Sequence, residues 1–279
     1  MSNEYRTASD EFYLSHRTDE YPHDKKFDIH IHDNYEILCF VSGNAEYMVE
    51  GSIYSLRPGC IMLMRSAETH KLILNTNAVY ERYIINFYPE QLLAMGFPPE
   101  LLRPFTDRSI GEKNLYLPNE FPDIQPEQFF KAMCAENTTV GKRTAVLITL
   151  ASLLTAISTA FENKLQNTSG KKRYASDELI DYVNANLFSD LSLTKISNEL
   201  HISASQVNRT FRKLTGTSIY NYITSKRLIV AQELIAKGEN ATDASQQCGF
   251  HDYSSFYRLY KKRFGVSPTA ARKKINFRK

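Results

Sequence analysis

Between Leu191 and Pro268 one pattern occurs twice: a short helix, a tight turn and a second helix, with a longer helix joining the copies. The first copy is LSLTKISNELHISASQVNRTFRKLTG. Ser192 stands where a helix cap belongs, and Leu193, Ile196 and Leu200 share a face at i, i+3 and i+7. His201 and Ile202 make the turn. Ser203 starts the second helix with Gln206 three residues on, a capping-box spacing. Val207, Phe211 and Leu214 turn inward and leave Gln206, Asn208, Arg209, Arg212 and Lys213 outside. The second copy is NATDASQQCGFHDYSSFYRLYKKRFGVSP. Ala241, Ala244 and Cys248 give its first helix a weak apolar face, and Gly249 allows a sharp exit. Asp252 caps a helix whose Phe256, Tyr260 and Phe264 face inward. Ser254, Ser255, Arg258, Lys261 and Lys262 stay outside, and Gly265 and Pro268 end it. The joining stretch Thr217–Lys237 keeps a helical period. At ~1.5 Å per residue it spans ~31 Å, near the ~34 Å between successive major-groove faces on one side of B-DNA.

Charge separates the same region from the rest. Residues 171–279 carry 19 Lys and Arg against 9 Asp and Glu, a net of +10, while residues 1–170 carry 15 against 22, a net of −7. A basic end on an acidic body suits a domain that meets phosphate, because Lys and Arg displace the counterions condensed on a duplex. Arg can donate twice to guanine, and Asn or Gln can pair with adenine.

With Gly249-Phe250, Phe256, Arg258, Tyr260, Lys261-Lys262, Gly265 and Ser267-Pro268 in place, the arrangement resembles the AraC/XylS transcription regulators. The resemblance implies an all-α double helix-turn-helix domain over 174–279 and a double-stranded DNA operator as partner. It puts base-facing positions at Ser205, Gln206, Asn208 and Arg209, and at Tyr253, Ser254, Ser255, Tyr257 and Arg258. Arg212, Lys213, Lys261 and Lys262 are expected on phosphates, the commoner class of contact. The chain departs from the family pattern at Ala241, Ala244, Ser245 and Cys248, where larger residues (Ala for Ser245) are usual, at Ala271 in place of a tyrosine, and at Ser197 in place of alanine. Trimming a core this way costs on the order of 1–3 kcal/mol per change if uncompensated, so a loosely held second unit is expected.

Ahead of this domain, residues 27–88 alternate in polarity and break at Gly43-Asn44, Glu50-Gly51 and Pro58-Gly59. They predict an antiparallel β-barrel or sandwich. It resembles the cupin-like sensing domain found ahead of AraC-type domains, and is assigned to 1–120. His30, His32 and Glu36 fall at even spacing, on one face of a strand. Two readings stand. With His70 they form a candidate divalent-metal set. Alternatively His30, His32, Glu36, Tyr47, His70 and Tyr83 contact a small-molecule effector, for which a sugar or polyol is the leading class because the resemblance implies it, the family often sensing such ligands, and because aromatics and paired polar groups suit it. No cofactor is expected.

A helical segment follows over 121–168. Val146, Leu150, Leu153, Ile157 and Phe161 fall near one stripe, with small residues Ala151, Ser152, Ala156 and Ser158 beside it. Such a helix packs on the barrel or between two chains; a homodimer is expected, as the resemblance implies. Asn167–Arg173 is a polar linker. The fold class is therefore α+β. Cys39, Cys60, Cys134 and Cys248 form no CxxC pair, which removes zinc fingers and disulfide frames. No run of eighteen apolar residues and no secretory signal are visible, so a cytoplasmic protein without a membrane partner is expected. The chain shows no Ser-His-Asp, phosphate-loop or HExxH pattern. A non-enzymatic regulator is the main reading, with RNA polymerase a possible further partner. The alternatives are a metal cupin enzyme carrying a DNA-binding tail and an architectural DNA protein with no effector.

Overall fold

A computed structural model describes residues 4–9, 11–22, 27, 29–76, 78–135, 139–166 and 175–271. The expected linker Asn167–Arg173 lies outside them. The chain forms two compact units, Met1–His30 with Asn34–Lys172, and Arg173–Lys279 with Ile31–Asp33.

The N-terminal unit holds strands β1 (Glu4–Ala8), β2 (Phe12–Asp19), β3 (Tyr35–Ser42), β4 (Ala45–Val49), β5 (Ser52–Ser55), β6 (Ile61–Met64), β7 (His70–Leu74), β8 (Tyr80–Phe87) and β9 (Leu115–Tyr116). They build a six-stranded sheet in the order β1-β2-β8-β3-β6-β9 and a three-stranded sheet β5-β4-β7. All pairings among the described residues are antiparallel. The large sheet is buried on both faces, and period-2 alternation sorts its side chains. Leu38, Phe40, Met62, Met64 and Tyr80 join Tyr47, Val49, Tyr54 and Leu72 of the small sheet in one core. Ile37, Cys39, Ile61, Leu63, Tyr83 and Ile85 face the other way. The cupin-like antiparallel architecture is as expected. The sequence reading began at residue 27 and missed β1 and β2, where Ser, His, Arg and Thr mask the alternation.

On the outer face lie α3 (Pro126–Ala135) and α4 (Thr139–Gln166), preceded by short helices α1 (Pro89–Ala94) and α2 (Arg103–Thr106). Against the expectation from sequence, Gly141–Leu165 is by length and composition apolar enough to cross a membrane, its charged residues lying only near the two ends. Its Val146, Leu150, Leu153, Leu154, Ile157 and Phe161 are nevertheless fully buried in the same core as Ile37 and Ile85. That burial accounts for the apolar stripe without any partner chain.

The C-terminal unit is helical: α5 (Ala175–Ala185), α6 (Leu193–Glu199), α7 (Ala204–Thr215), α8 (Ile219–Ala236), α9 (Ala241–Gln247) and α10 (Tyr253–Phe264). Leu179, Ile180, Val183, Ile196, Val207 and Phe211 close one core over the first part of α8, through Ile219, Tyr222 and Ile223. Ala244, Cys248, Phe256 and Tyr260 close a second over Leu228, Ala231 and Ile235 of the same helix. The helix α8 is shorter than Thr217–Lys237, because Ser218 caps its start and Lys237 ends it. At ~1.5 Å per residue its 18 residues span ~27 Å.

Candidate functional site

Each outward helix of the C-terminal unit is fixed at both ends. The Ser203 hydroxyl accepts from Gln206 N at the start of α7, and Gly216 closes its end in the left-handed region. The Asp252 carboxylate accepts from Ser254 N and Ser255 N at the start of α10, and Gly265 closes that helix likewise. Hydrogen bonds from Ser255 and Ser254 hold the Asp252 carboxyl below its ordinary range. Between α6 and α7, His201 takes φ 53° to make the turn, and Ser197 Oγ donates to Ile202 O at 2.5 Å. The departure from alanine at 197 thus gains a hydrogen bond across the turn.

The inward stripe and outward face fall where the periodicity puts them. Val207, Phe211, Phe256 and Tyr260 are fully buried, and Phe264 and Leu214 pack partly buried against the cores. Ser205, Gln206, Arg209, Arg212 and Lys213 of α7 are exposed, with Asn208 half-buried beside them. On α10, Tyr253, Ser254, Tyr257, Arg258, Lys261 and Lys262 are exposed and Ser255 half-buried, with Arg258 Nη2 donating to Ser255 Oγ at 3.2 Å. The trimmed second core is closed rather than open: Ala244, Ser245, Cys248 and Ala271 are all buried. Ser245 Oγ donates to Thr242 O at 2.7 Å, so the buried hydroxyl has its acceptor.

The joint between the two helix-turn-helix halves was not visible in the sequence. Arg227, midway along α8, donates from Nε to Leu187 O (2.8 Å), from Nη1 to Gly249 O (2.7 Å) and from Nη2 to Ser189 O (2.7 Å). One planar fork therefore ties the first half to the turn of the second. Gly249 has φ 74°, and a Cβ there would lie 2.7 Å from Phe188 O and 3.0 Å from Arg227 Cζ. Both the backbone conformation and the close approach require glycine. Beside it the buried Lys226 donates to Asn184 Oδ1 at 3.0 Å and lies over the Tyr222 ring.

In the N-terminal unit four of the six expected effector residues, His30, Glu36, Tyr47 and His70, come together. His30 and His70 exchange backbone hydrogen bonds of 3.0 Å each way, and their rings lie 4.1 Å apart. Glu36 and His70 are buried and His30 exposed, and one ligand atom from each lies within 4.8 Å of the others; His32 is half-buried and falls in the segment grouped with the other unit. The Tyr47 ring stacks on His70 at 5.9 Å, and burial, with Glu36 and Tyr80 nearby, pushes its phenol well up. His30 and His32 do not share a regular strand with Glu36, because Asp33-Asn34 interrupts the extended run before β3. Tyr83 is the other exception. It sits on the opposite face of the sheet, stacked on His16 at 4.1 Å and 5.6 Å from Phe130. An odd position on β8 faces the helices. The even positions supply what the sequence reading missed, Tyr80, Arg82 and Asn86: Arg82 pairs with Asp19 and lies over Tyr80, and Asn86 donates to Glu36. A cavity of about 640 Å³ lined by Pro58, Pro118, Phe121 and Ile124–Gln128 shares no residue with this cluster.

The geometry defines a DNA-binding regulator of the helix-turn-helix class with an appended sensing domain, and the comparisons agree. Residues 13–136 match the AraC-like ligand binding domain, and residues 196–274 match a helix-turn-helix domain. The chain belongs to the AraC family of transcription regulators. It is 21% identical over 262 residues to the HTH-type transcriptional activator RhaS of Yersinia pseudotuberculosis, covering 89% of this chain and 90% of that one. It is 24% identical over 250 residues to the probable transcriptional regulator LumQ of Photobacterium leiognathi, covering 88% and 92%. Among solved structures, ToxT from Vibrio cholerae O395 aligns over 98% of this chain and 96% of its own at 15% identity and a TM-score of 0.39.

Proposed function

We propose that the chain binds its operator through α7 and α10 in successive major grooves of one duplex face. Arg209 and Arg258 read bases, while Arg212, Lys213, Lys261 and Lys262 hold phosphates. The observation that carries this reading is the exposure of the side chains assigned to DNA, all but the half-buried Asn208 and Ser255, on two helices whose apolar sides close separate cores over one shared strut. Selection from random duplexes with the purified chain, followed by titration against the enriched site and a scrambled one, tests it. Absence of enrichment would remove sequence-specific readout.

In this reading the effector is a sugar or polyol held near His30, Glu36, Tyr47 and His70, where aromatic faces and paired polar groups suit hydroxyl-rich ligands. Tyr83 and His32 fall outside the set. Thermal-shift measurements against sugars and other metabolites check the ligand, since binding to the native state alone raises the melting temperature. The protein acts in the cytoplasm, by binding rather than catalysis, with RNA polymerase as the partner of an activating complex. It acts as a homodimer. Support for pairing is the outward face of α4, where Ile148 is 64% exposed. Along it, Ser152, Thr155 and Thr159 direct their hydroxyls to carbonyls one turn back, at 3.2, 2.8 and 3.1 Å. A face so arranged makes little polar demand and allows close helix approach.

A further inference from the structure

We infer that the two outward helices read different chemistry: α7 reads purine hydrogen-bonding edges, whereas α10 reads the C5-methyl groups of thymine through Tyr253 and Tyr257. The inference deepens the operator reading above and rests on it. Three observations carry it. The first is register. Each helix begins at a capping side chain, Ser203 for α7 and Asp252 for α10, that accepts from backbone N–H groups of its own first turn. Counted from these caps the helices run in step. The buried Val207 and Phe211 correspond to the buried Phe256 and Tyr260, and the exposed Arg209 corresponds to the exposed Arg258. At one, three and five residues past the cap, α7 carries Ala204, Gln206 and Asn208, where α10 carries Tyr253, Ser255 and Tyr257. A carboxamide donates and accepts at once and so pairs with adenine N6 and N7. Helix α7 presents two carboxamides and α10 contains none.

The second is presentation. Tyr253 and Tyr257 lie one turn apart, their ring centroids 6.5 Å from each other, and each is 36% exposed. The Tyr253 ring packs at 5.7 Å against the fully buried Phe256, which in turn lies 5.1 Å from Phe250 and 5.4 Å from Tyr260. The outer ring is therefore the end of an aromatic ladder rooted in the core, and it is held before any partner arrives. A tyrosine also has only two side-chain torsions to fix, so contact through it costs little ordering.

The third is chemical complementarity. A ring face laid on a donor or acceptor at a base edge would strip that group of water and give no hydrogen bond in return. The thymine C5 methyl is the apolar feature of the major-groove code. Covering it with a ring removes apolar surface from water on both partners.

The test starts from the site that the full-length chain enriches from random duplexes. Each thymine in that site is replaced in turn by deoxyuridine, which lacks only the C5 methyl and keeps every hydrogen-bonding group. At one thymine or more the uracil duplex should bind about fourfold more weakly, the worth of one buried methyl group. Tyr257→Phe keeps the ring and should keep that sensitivity. Tyr253→Ala and Tyr257→Ala should each weaken the site and bind thymine and uracil duplexes alike at the position its ring covered. Arg209→Ala, on α7, should weaken the site yet leave the uracil effect whole. A site indifferent to uracil throughout, or a uracil effect that survives loss of both tyrosines, would overturn the inference and leave the operator reading standing. Failure to enrich any site would remove the operator reading itself, and this inference with it.

Discussion

Arg209 and Arg258 occupy equivalent places on α7 and α10, each exposed six residues past its cap. A guanidinium bidentate to guanine discriminates bases, whereas an ammonium on a phosphate does not. Arg209→Ala and Arg258→Ala should each weaken specific binding by about 1–3 kcal/mol and relax preference at one base pair. Lys262→Ala should weaken specific and scrambled duplexes alike. Titration of both duplexes separates the cases, and an equal loss for Arg209→Ala would make that residue a phosphate contact. Arg227 is a different kind of arginine. From sequence it looks like one more cation on a helix, because nothing local marks the three carbonyls it finds 22 to 40 positions away. Burial lowers its pKa only from an already high value, so it stays charged at any working pH. Charged hydrogen bonds are worth about 1.5–3 kcal/mol each when removal leaves a partner unmet, and these carbonyls lie in turns that water can partly reach. Arg227→Ala should therefore lower the stability of the C-terminal unit by about 2–4 kcal/mol in denaturant titration. Gly249→Ala should be at least as severe, since it combines backbone strain with a clash.

At the level of elements, one loop is locked to the sheet by buried charge. Glu68, following β6, faces Arg108 in the segment between α2 and β9, with Asn114 Nδ2 donating to the same carboxylate at 3.2 Å. Burial raises the Glu68 pKa, but Arg108, its hydrogen bonds and Arg65 outweigh it and leave the carboxyl below its ordinary value. Its contribution is thus fully present above the unfolded carboxylate pKa of about 4.3 and is lost as pH falls through the lower folded value. Melting temperatures followed from pH 7 downward should drop in that acid window, and Glu68→Gln should flatten the drop. Glu68→Ala, which strands Arg108 in the core, should cost about 3–5 kcal/mol at neutral pH; a loss under 1 kcal/mol would mean that water reaches the pair. The elements that were legible in sequence share a reason: helices with a clean 3.6 period and Ser or Asp caps announce themselves, as α6, α7 and α10 do. Strands flanked by polar residues, such as β2, do not. The face of Tyr83 was lost because one residue of register decides which side of β8 is seen, and only the pairing with β3 fixes it.

For the whole molecule the governing quantity is the number of phosphates neutralised. The basic unit carries +10 and the remainder −7, so affinity for any duplex rests on cations confined to one end. Six exposed Lys and Arg lie on α7 and α10 together. If the four assigned to phosphates, Arg212, Lys213, Lys261 and Lys262, each meet one, log K should fall with log salt at a slope of roughly −4 for a single chain and roughly −7 for two chains on one operator. The slope therefore reports oligomeric state on DNA without reference to how the units are arranged. Ile148→Glu places a charge on the outward face of α4 and touches neither the buried stripe nor the recognition helices. A homodimer joined through that face should become monomeric in sedimentation, and its salt slope should fall by about half. The variant should still melt at nearly the wild-type temperature, since an exposed substitution changes stability little. A chain that sediments as a monomer before the change, or whose slope is unaltered by it, binds each half-site independently, and operator occupancy would then rise without cooperativity.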